Sequence, residues 1–361
     1  MSTDRFSCSM LDCIRETSSA ADRIITNRKG NCRDLLILTA EREIPFTDIV
    51  LVGSGSSFTA PVTAKAFVEK VSGLHTEVIC PGDFIYNTTV YKPDALYVFL
   101  SQTGTSKGTS QALDLALEKG LSSLAVSESR ETPLAQKCGN TLILDCGIEE
   151  YPMRTVGFSA TVMTCMVLGL ELGLYYGRLS AGQYRAYIEE MKQISGRQEP
   201  IIRNTLEWLQ SAKRNILRSD LIVFTGADSL HGIAQEGAVK VWETLQTASV
   251  GYELEEGMHG PNYGYNSRHC VIVLDNGGRE HEKAVSLARY MKDVWKNGFL
   301  IGPKKIDAQD LEIEIGSADM CCIDFATVVQ TIAYKTAEDQ GRDLFQCHDN
   351  SLMESYFKTH V

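Results

Sequence analysis

The sequence predicts an α/β chain made of two consecutive units, each a parallel sheet flanked by helices. Three observations carry this expectation. Apolar runs of strand length recur along the chain, each followed by a small-residue turn and then a helix-length segment, the order of βαβ construction. That order occurs twice, from Thr47 to Tyr176 and again from Asp220 to Glu338, with a polar, charge-rich helical stretch from Ser180 to Arg218 between. A length of 361 residues also corresponds to about two domains.

Taken in order, residues from Met10 to Leu38 alternate apolar and polar positions at helical spacing and read as one or two lead-in helices. Thr47 to Val52 enters a strand that breaks at Gly53-Ser54-Gly55-Ser56-Ser57, and helix-compatible residues follow from Ala60 to Val71. Ala95 to Leu100 is a second strand, Ser101-Gln102-Thr103-Gly104-Thr105-Ser106 a hydroxyl-rich turn, and Gly108 to Lys119 a helix. Strands over Ser122 to Ser127 and Leu142 to Asp145 lead to a long apolar helix from Ser159 to Tyr176. The second unit reads as a strand at Leu221 to Thr225, a helix from Ala238 to Ser249, a strand at Cys270 to Leu274 and a helix from Arg279 to Asn297. Strands at Gly298 to Gly302 and Leu311 to Ile315 and a helix from Phe325 to Glu338 complete it. The expected division is a helical lead-in over 1–40, a first unit over 41–197, a second over 198–340 and a tail over 341–361, with the boundary near Arg197 to Pro200.

Composition narrows the function classes. A net charge of −11 argues against gripping a nucleic-acid backbone, although a small phosphate needs only a local cradle of donors. The eleven cysteines form no CxxC pair, and Cys80, Cys146, Cys165 and Cys270 sit in or beside apolar runs, the pattern of reduced, buried thiols. No basic n-region precedes an apolar stretch at the N-terminus, and the apolar run from Thr161 to Leu174 reads as too short for a bilayer and holds Glu171. The expectation is a cytoplasmic protein with no membrane partner. No His/Cys/Asp cluster at ligand spacing appears, so neither metal nor cofactor is expected. Trp208, Trp242 and Trp295 read as core residues on helical faces.

The stretch from Asp220 to Pro261 concentrates the chemistry. Glu236, Lys240 and Glu243 fall at i, i+4 and i+7, so two carboxylates and an ammonium share one helical stripe. Beyond it, His259 stands in a Gly/Pro-punctuated loop, Glu255-Glu256-Gly257-Met258-His259-Gly260-Pro261. Carboxylate, amine and imidazole around one strand-helix-loop unit suit proton transfer. The stripe by itself also reads as a solvated salt-bridge face. In the first unit, the turns at 53–57 and 101–106 put hydroxyls and backbone N–H groups at helix N-termini, where an anion is stabilised. The remaining histidines carry no motif, although His348 and His360 in the tail are placed where they could reach a site.

Three segments resemble the sugar isomerase (SIS) domain family, most closely the isomerase half of glucosamine-6-phosphate synthase and the stand-alone fructosamine- and glucosamine-type 6-phosphate deglycases. Ser101 to Ser106 resembles the family's SQSGxT phosphate loop, and Gly53 to Ser57 its CGTS loop. Gln235-Glu236-Gly237-Ala238 through Glu243 to His259-Gly260-Pro261 resembles the LEGALKLKE…KHGP motif without a gap. The resemblance implies two tandem SIS-type domains of flavodoxin-like construction. It implies Glu243 as the base that moves a proton between C1 and C2, and His259 as the ring-opening group supplied across a homodimer or higher homo-oligomer with shared sites. Ser57, Ser101, Gln102, Thr103 and Ser106 take the place of phosphate contacts, and Ser56, Thr155, Glu236 and Lys240 of further substrate contacts. Lys358 stands for a C-terminal lysine that closes over the sugar, at a longer spacing from Gly341 than in the synthase.

Ser2 occupies the place where the synthase carries its glutaminase cysteine, so glutamine-independent chemistry is expected. The implied reaction is ring opening, C1–C2 proton transfer and imine hydrolysis of an amine-conjugated hexose 6-phosphate of Amadori or Heyns type. Deamination or isomerisation of an amino-sugar 6-phosphate shares the same carbon-acid step and stays open, as does a non-catalytic sugar-phosphate sensor. The presence of both Glu243 and His259 and the lack of a basic helix-turn-helix segment favour an enzyme over the sensor.

Overall fold

The structure, a computed structural model, describes residues 6–346 and 351–360. Five strands, β1 (Asp48–Val52), β2 (His75–Ile79), β3 (Ala95–Leu100), β4 (Ser123–Ser127) and β5 (Thr141–Ile143), form a parallel sheet in the order β2-β1-β3-β4-β5. Five more, β6 (Leu221–Gly226), β7 (Ala248–Glu253), β8 (His269–Leu274), β9 (Gly298–Gly302) and β10 (Leu311–Glu312), repeat it as β10-β9-β8-β6-β7. The inner strands β1, β3, β4 and β9 are buried along their whole length, as strands covered by helices on both faces must be. The two-unit parallel architecture expected from the sequence is therefore present.

In each sheet the strand order reverses beside the first strand, between β1 and β3 and between β6 and β8. Such switch points open a crevice outside the carboxyl ends of the strands, the usual place for a ligand in this architecture. The helix after β1 (Ser56–Ser72) and the helix after β6 (Leu230–Thr244) pack on each other and join the units. Gly232 makes that contact possible, since a Cβ there would lie 2.2 Å from Thr63 Oγ1 and 2.6 Å from its backbone nitrogen.

Several expected elements are corrected. The lead-in holds three helices (Met10–Arg15, Thr17–Asn31 and Arg33–Ala40) rather than one or two. β2 and β7 were not anticipated; both are edge strands, so polar residues such as His75 and Glu77 face outward and dilute the apolar signal. The helix expected to run to Ser249 begins at Leu230 and ends at Thr244, where Gln246 adopts a positive φ of 57° and turns the chain into β7. The helix expected from Arg279 to Asn297 runs from His281 to Tyr290 and then passes into a π-turn over Met291–Trp295.

The boundary placed near Arg197 to Pro200 falls inside one continuous helix, Ile194–Leu217, and Arg197 reaches Asp324 of the second unit at 3.1 Å. The Val156–Tyr175 helix is long and apolar enough to cross a membrane, yet it is buried within the protein, packed against the Ser56–Ser72 helix. Its apolar run thus builds the core. Trp208 is buried as expected, whereas Trp242 is more than half exposed and donates to the Ser249 carbonyl. Among the thiols singled out, Cys146, Cys165 and Cys270 are buried and Cys80 is partly exposed.

Candidate active site

The crevice at the β1/β3 switch point is a cleft of about 430 Å³. Its floor comes from the loop after β1 (Ser54, Gly55, Ser56 and Ser57) and the loop after β3 (Ser101, Gln102, Thr103 and Ser106). Both loops lead into helices, Ser56–Ser72 and Lys107–Glu118, whose N-caps Gly55 and Ser106 make no side-chain capping hydrogen bond. Ser57 N and Phe58 N bond the Ser54 and Gly55 carbonyls and Lys107 N bonds the Thr359 carbonyl, so what the two loops chiefly offer an anion is their six serine and threonine hydroxyls at the positive ends of two helices.

The second loop is held in shape from below. Ser127 Oγ donates to the Ser101 carbonyl at 2.6 Å, Thr109 Oγ1 donates to Ser106 Oγ at 3.1 Å, and Thr103 and Thr105 hydroxyls pair at 2.8 Å. Gly104 turns the loop at φ 68°, and a Cβ there would lie 2.6 Å from Thr132 Cβ. A left-handed backbone costs a side-chain-bearing residue about 1–2 kcal/mol, before that clash is counted. Gly104→Ala is expected to raise the KM for a sugar phosphate far more than it lowers kcat, as steady-state kinetics will show.

The opposite wall is Glu243, carried from the second unit by the Leu230–Thr244 helix. The stripe expected on that helix is not solvated: Glu236 and Lys240 side chains are wholly buried, and Glu243 is 35% exposed. Lys240 Nζ lies 3.3 Å from Glu236 Oε1, donates to Glu243 Oε2 at 2.7 Å and to Ser56 Oγ at 3.2 Å. Ser56 Oγ and Thr59 Oγ1 in turn donate to Glu236 Oε2 at 2.9 and 3.1 Å. One buried ammonium therefore sits between two carboxylates and ties the helix to the loop after β1. Burial alone would push the Lys240 ammonium down, but Glu236 and Glu243 outweigh it and hold it up at about 12. Burial raises Glu236 above the ordinary carboxylate range in spite of Lys240.

Other expected residues are placed differently. Thr155 is fully buried and does not line the cleft; its backbone N–H and hydroxyl donate to Glu149 Oε1 at 2.6 and 2.9 Å. Glu149, itself buried, also accepts from Gly157 N at 3.0 Å and Gln102 Nε2 at 3.3 Å, and so couples the 149–157 turn to the phosphate-type loop. His259 is outside this cleft, with its side chain 67% exposed and Nδ1 3.0 Å from the Glu255 carbonyl. Lys358 is exposed and does not line the cleft either. The tail does reach the site: Lys107 N donates to the Thr359 carbonyl at 2.9 Å, His360 bridges to Ser106, and Thr359 and His360 complete the wall. His348 lies outside the described residues. Pro152 and Arg154 also line the cleft. The sequence signal for them was the Tyr-Pro-Met-Arg turn just before the long apolar helix, but nothing in its pattern aimed Arg154 inward.

Fold and cleft together define a two-unit α/β protein with an anion cradle in one unit facing a carboxylate of the other. Residues 47–170 match the SIS domain family model. The second sheet repeats the topology beyond that match. The glutamine–fructose-6-phosphate aminotransferase (isomerizing) of Gloeobacter violaceus is 26% identical over 306 residues, which is 82% of this chain and 50% of that protein. The chain spans about half the length of the curated relatives it matches. Among solved structures, a candidate phosphosugar isomerase from Clostridium difficile 630 superposes with a TM-score of 0.88 at 23% identity, covering 97% of this chain and 98% of that one. The C-terminal domain of glucosamine-fructose-6-phosphate aminotransferase from Francisella tularensis superposes with a TM-score of 0.85 at 20% identity, covering 96% and 100%. At such identities the structural likeness establishes the fold.

Proposed function

We propose that this protein is a glutamine-independent deglycase of an amine-conjugated hexose 6-phosphate. The observation that carries the reading is that Glu243 shares one cleft with the hydroxyl loops at 53–57 and 101–106. The loops take the phosphate through hydroxyls and helix N-termini, which fixes the sugar carbons against the carboxylate. Lys240 engages Glu243 Oε2 and leaves the other oxygen to meet a carbon-bound hydrogen.

For an Amadori substrate, His259 of the partner subunit moves the anomeric hydroxyl proton to the ring oxygen and opens the ring. The exposure of His259 on its own loop supports its being offered to a second copy of the chain. Glu243 then takes a proton from C1. The electron pair forms the C1–C2 double bond, and the C2 oxygen takes up a proton. Return of a proton to C2 leaves a C1–nitrogen imine, and addition of water releases the free amine and an aldose 6-phosphate. Thr359 and His360 bring the tail to the phosphate loop and close that side of the cleft.

Incubation with fructose- and glucosamine-type 6-phosphate conjugates in heavy water tests this. The expected result is release of free amine, with one solvent deuteron on C2 of the aldose product from the fructose-type conjugate and on C1 of the ketose product from the glucosamine-type one. Deuterium exchange without amine release would instead make the protein an isomerase or amino-sugar deaminase, and binding with neither would make it a sensor.

A further inference from the structure

The second unit carries its own copy of the cleft, at the β6/β8 switch point. It is a cavity of about 390 Å³ lined by the loops after β6 and β8, the start of the Cys322–Asp339 helix, and the Ser56–Ser72 helix of the first unit. The first cleft is assembled the same way with the units exchanged. Counting from Gly53, just after β1, and Gly226, at the end of β6, the correspondence is residue by residue. Gly55 and Asp228 both adopt positive φ, 57° and 54°. Ser56 corresponds to Ser229, Thr63 to Glu236, Phe67 to Lys240, and Lys70 to Glu243. Thr63, Phe67 and Lys70 line the second cavity.

The chemistry of the copy has been changed throughout. Lys70 stands where the first cleft has its carboxylate, so the equivalent helical position carries an ammonium and not a base. The hydroxyls of Ser101 and Ser106 are replaced by Asp275 and Glu280. Two ion pairs border the cavity, Lys70 Nζ with Asp319 at 2.5 Å and Arg279 with Asp228 at 2.6 Å. Ser229 Oγ is buried behind the lining, where it meets the Cys321 thiol. A phosphate dianion entering would meet the carboxylates of Asp228 and Asp319, with Asp275 close behind, and like charges brought together cost several kcal/mol. A ligand carrying one cation and one anion a few bonds apart meets no such penalty, because each of its charges finds an opposite one.

We infer that this cavity is a non-catalytic binding site for a zwitterionic α-amino acid. The α-carboxylate lies between Lys70 and Arg279, and the ammonium faces Asp319 and Asp228. The inference rests on the second cavity alone and not on the reaction proposed for the first.

Calorimetric titration with the L-α-amino acids, alongside inorganic phosphate and glucose 6-phosphate, tests it. At least one amino acid is expected to saturate. The Lys70→Met/Arg279→Gln double variant is expected to weaken it by about tenfold or more, the loss of charge-assisted contacts. Both side chains are largely solvent-exposed, and an unchanged thermal unfolding midpoint will confirm that the variant is folded. Ser101→Ala is expected to leave amino-acid affinity unchanged. Failure of every amino acid to saturate, unaltered affinity in the double variant, or phosphate binding that the double variant abolishes would overturn the inference. None of these outcomes bears on sugar-phosphate turnover, which is read with different probes.

Discussion

Glu243→Gln is expected to lower turnover by about 10²–10⁴-fold, the span of a positioned general acid–base group, while sugar-phosphate affinity changes little. The amide keeps the shape of the side chain and its contact with Lys240, but it cannot accept a proton from carbon. On the proposed reading the phosphate sits on hydroxyls and amides of the other unit, which the substitution does not touch. Loss should therefore fall on kcat and on deuterium exchange at the sugar carbon alike. Full activity in this variant would remove Glu243 from the reaction. A rise in KM with kcat intact would make it a binding residue only.

Lys240→Met is expected to destabilise the fold by about 3–5 kcal/mol, because it leaves the wholly buried Glu236 as an uncompensated charge. Denaturant unfolding measures the loss. The double variant Lys240→Met/Glu236→Gln should recover most of it, since replacing both members of a buried pair is often close to neutral. Glu243, one third exposed, can turn to water when Lys240 is removed and adds little to the cost. If the single and double variants were equally unstable, packing of the lysine stem rather than its charge would be what holds the helix. The triad thus has two separable roles. Glu236 and Lys240 lock the second unit's helix onto the loop after β1, and Glu243 inherits its position from that lock.

The sheet order explains why a carboxylate so late in the chain reaches turns so early in it. The helix after β6 packs on the helix after β1, and Gly232 lets the two approach closely. This contact carries Glu243 into the first cleft and Lys70 into the second. One interface therefore builds both clefts, with a carboxylate at the equivalent helical position in the first and an ammonium in the second.

Sequence alone determined the α/β class, the two-unit plan and the segments at 53–57, 101–106 and 235–261. Each depends on local signals: apolar runs, turn residues at fixed offsets, and carboxylates at helical spacing. It missed β2 and β7 because neither edge strand is a run of fully buried apolar residues: β2 exposes His75 and Glu77, and β7 is only partly buried at all but one position. It could not tell whether Glu236 and Lys240 were solvated or buried, since the same spacing serves both. Tertiary structure decided that, by closing two helices over them. It also buried Thr155 beneath the cleft on Glu149, brought Thr359 and His360 rather than Lys358 to the wall, and left His259 facing outward. Those placements depend on contacts between residues far apart in the chain, and no local pattern of residues encodes which distant surface will meet them.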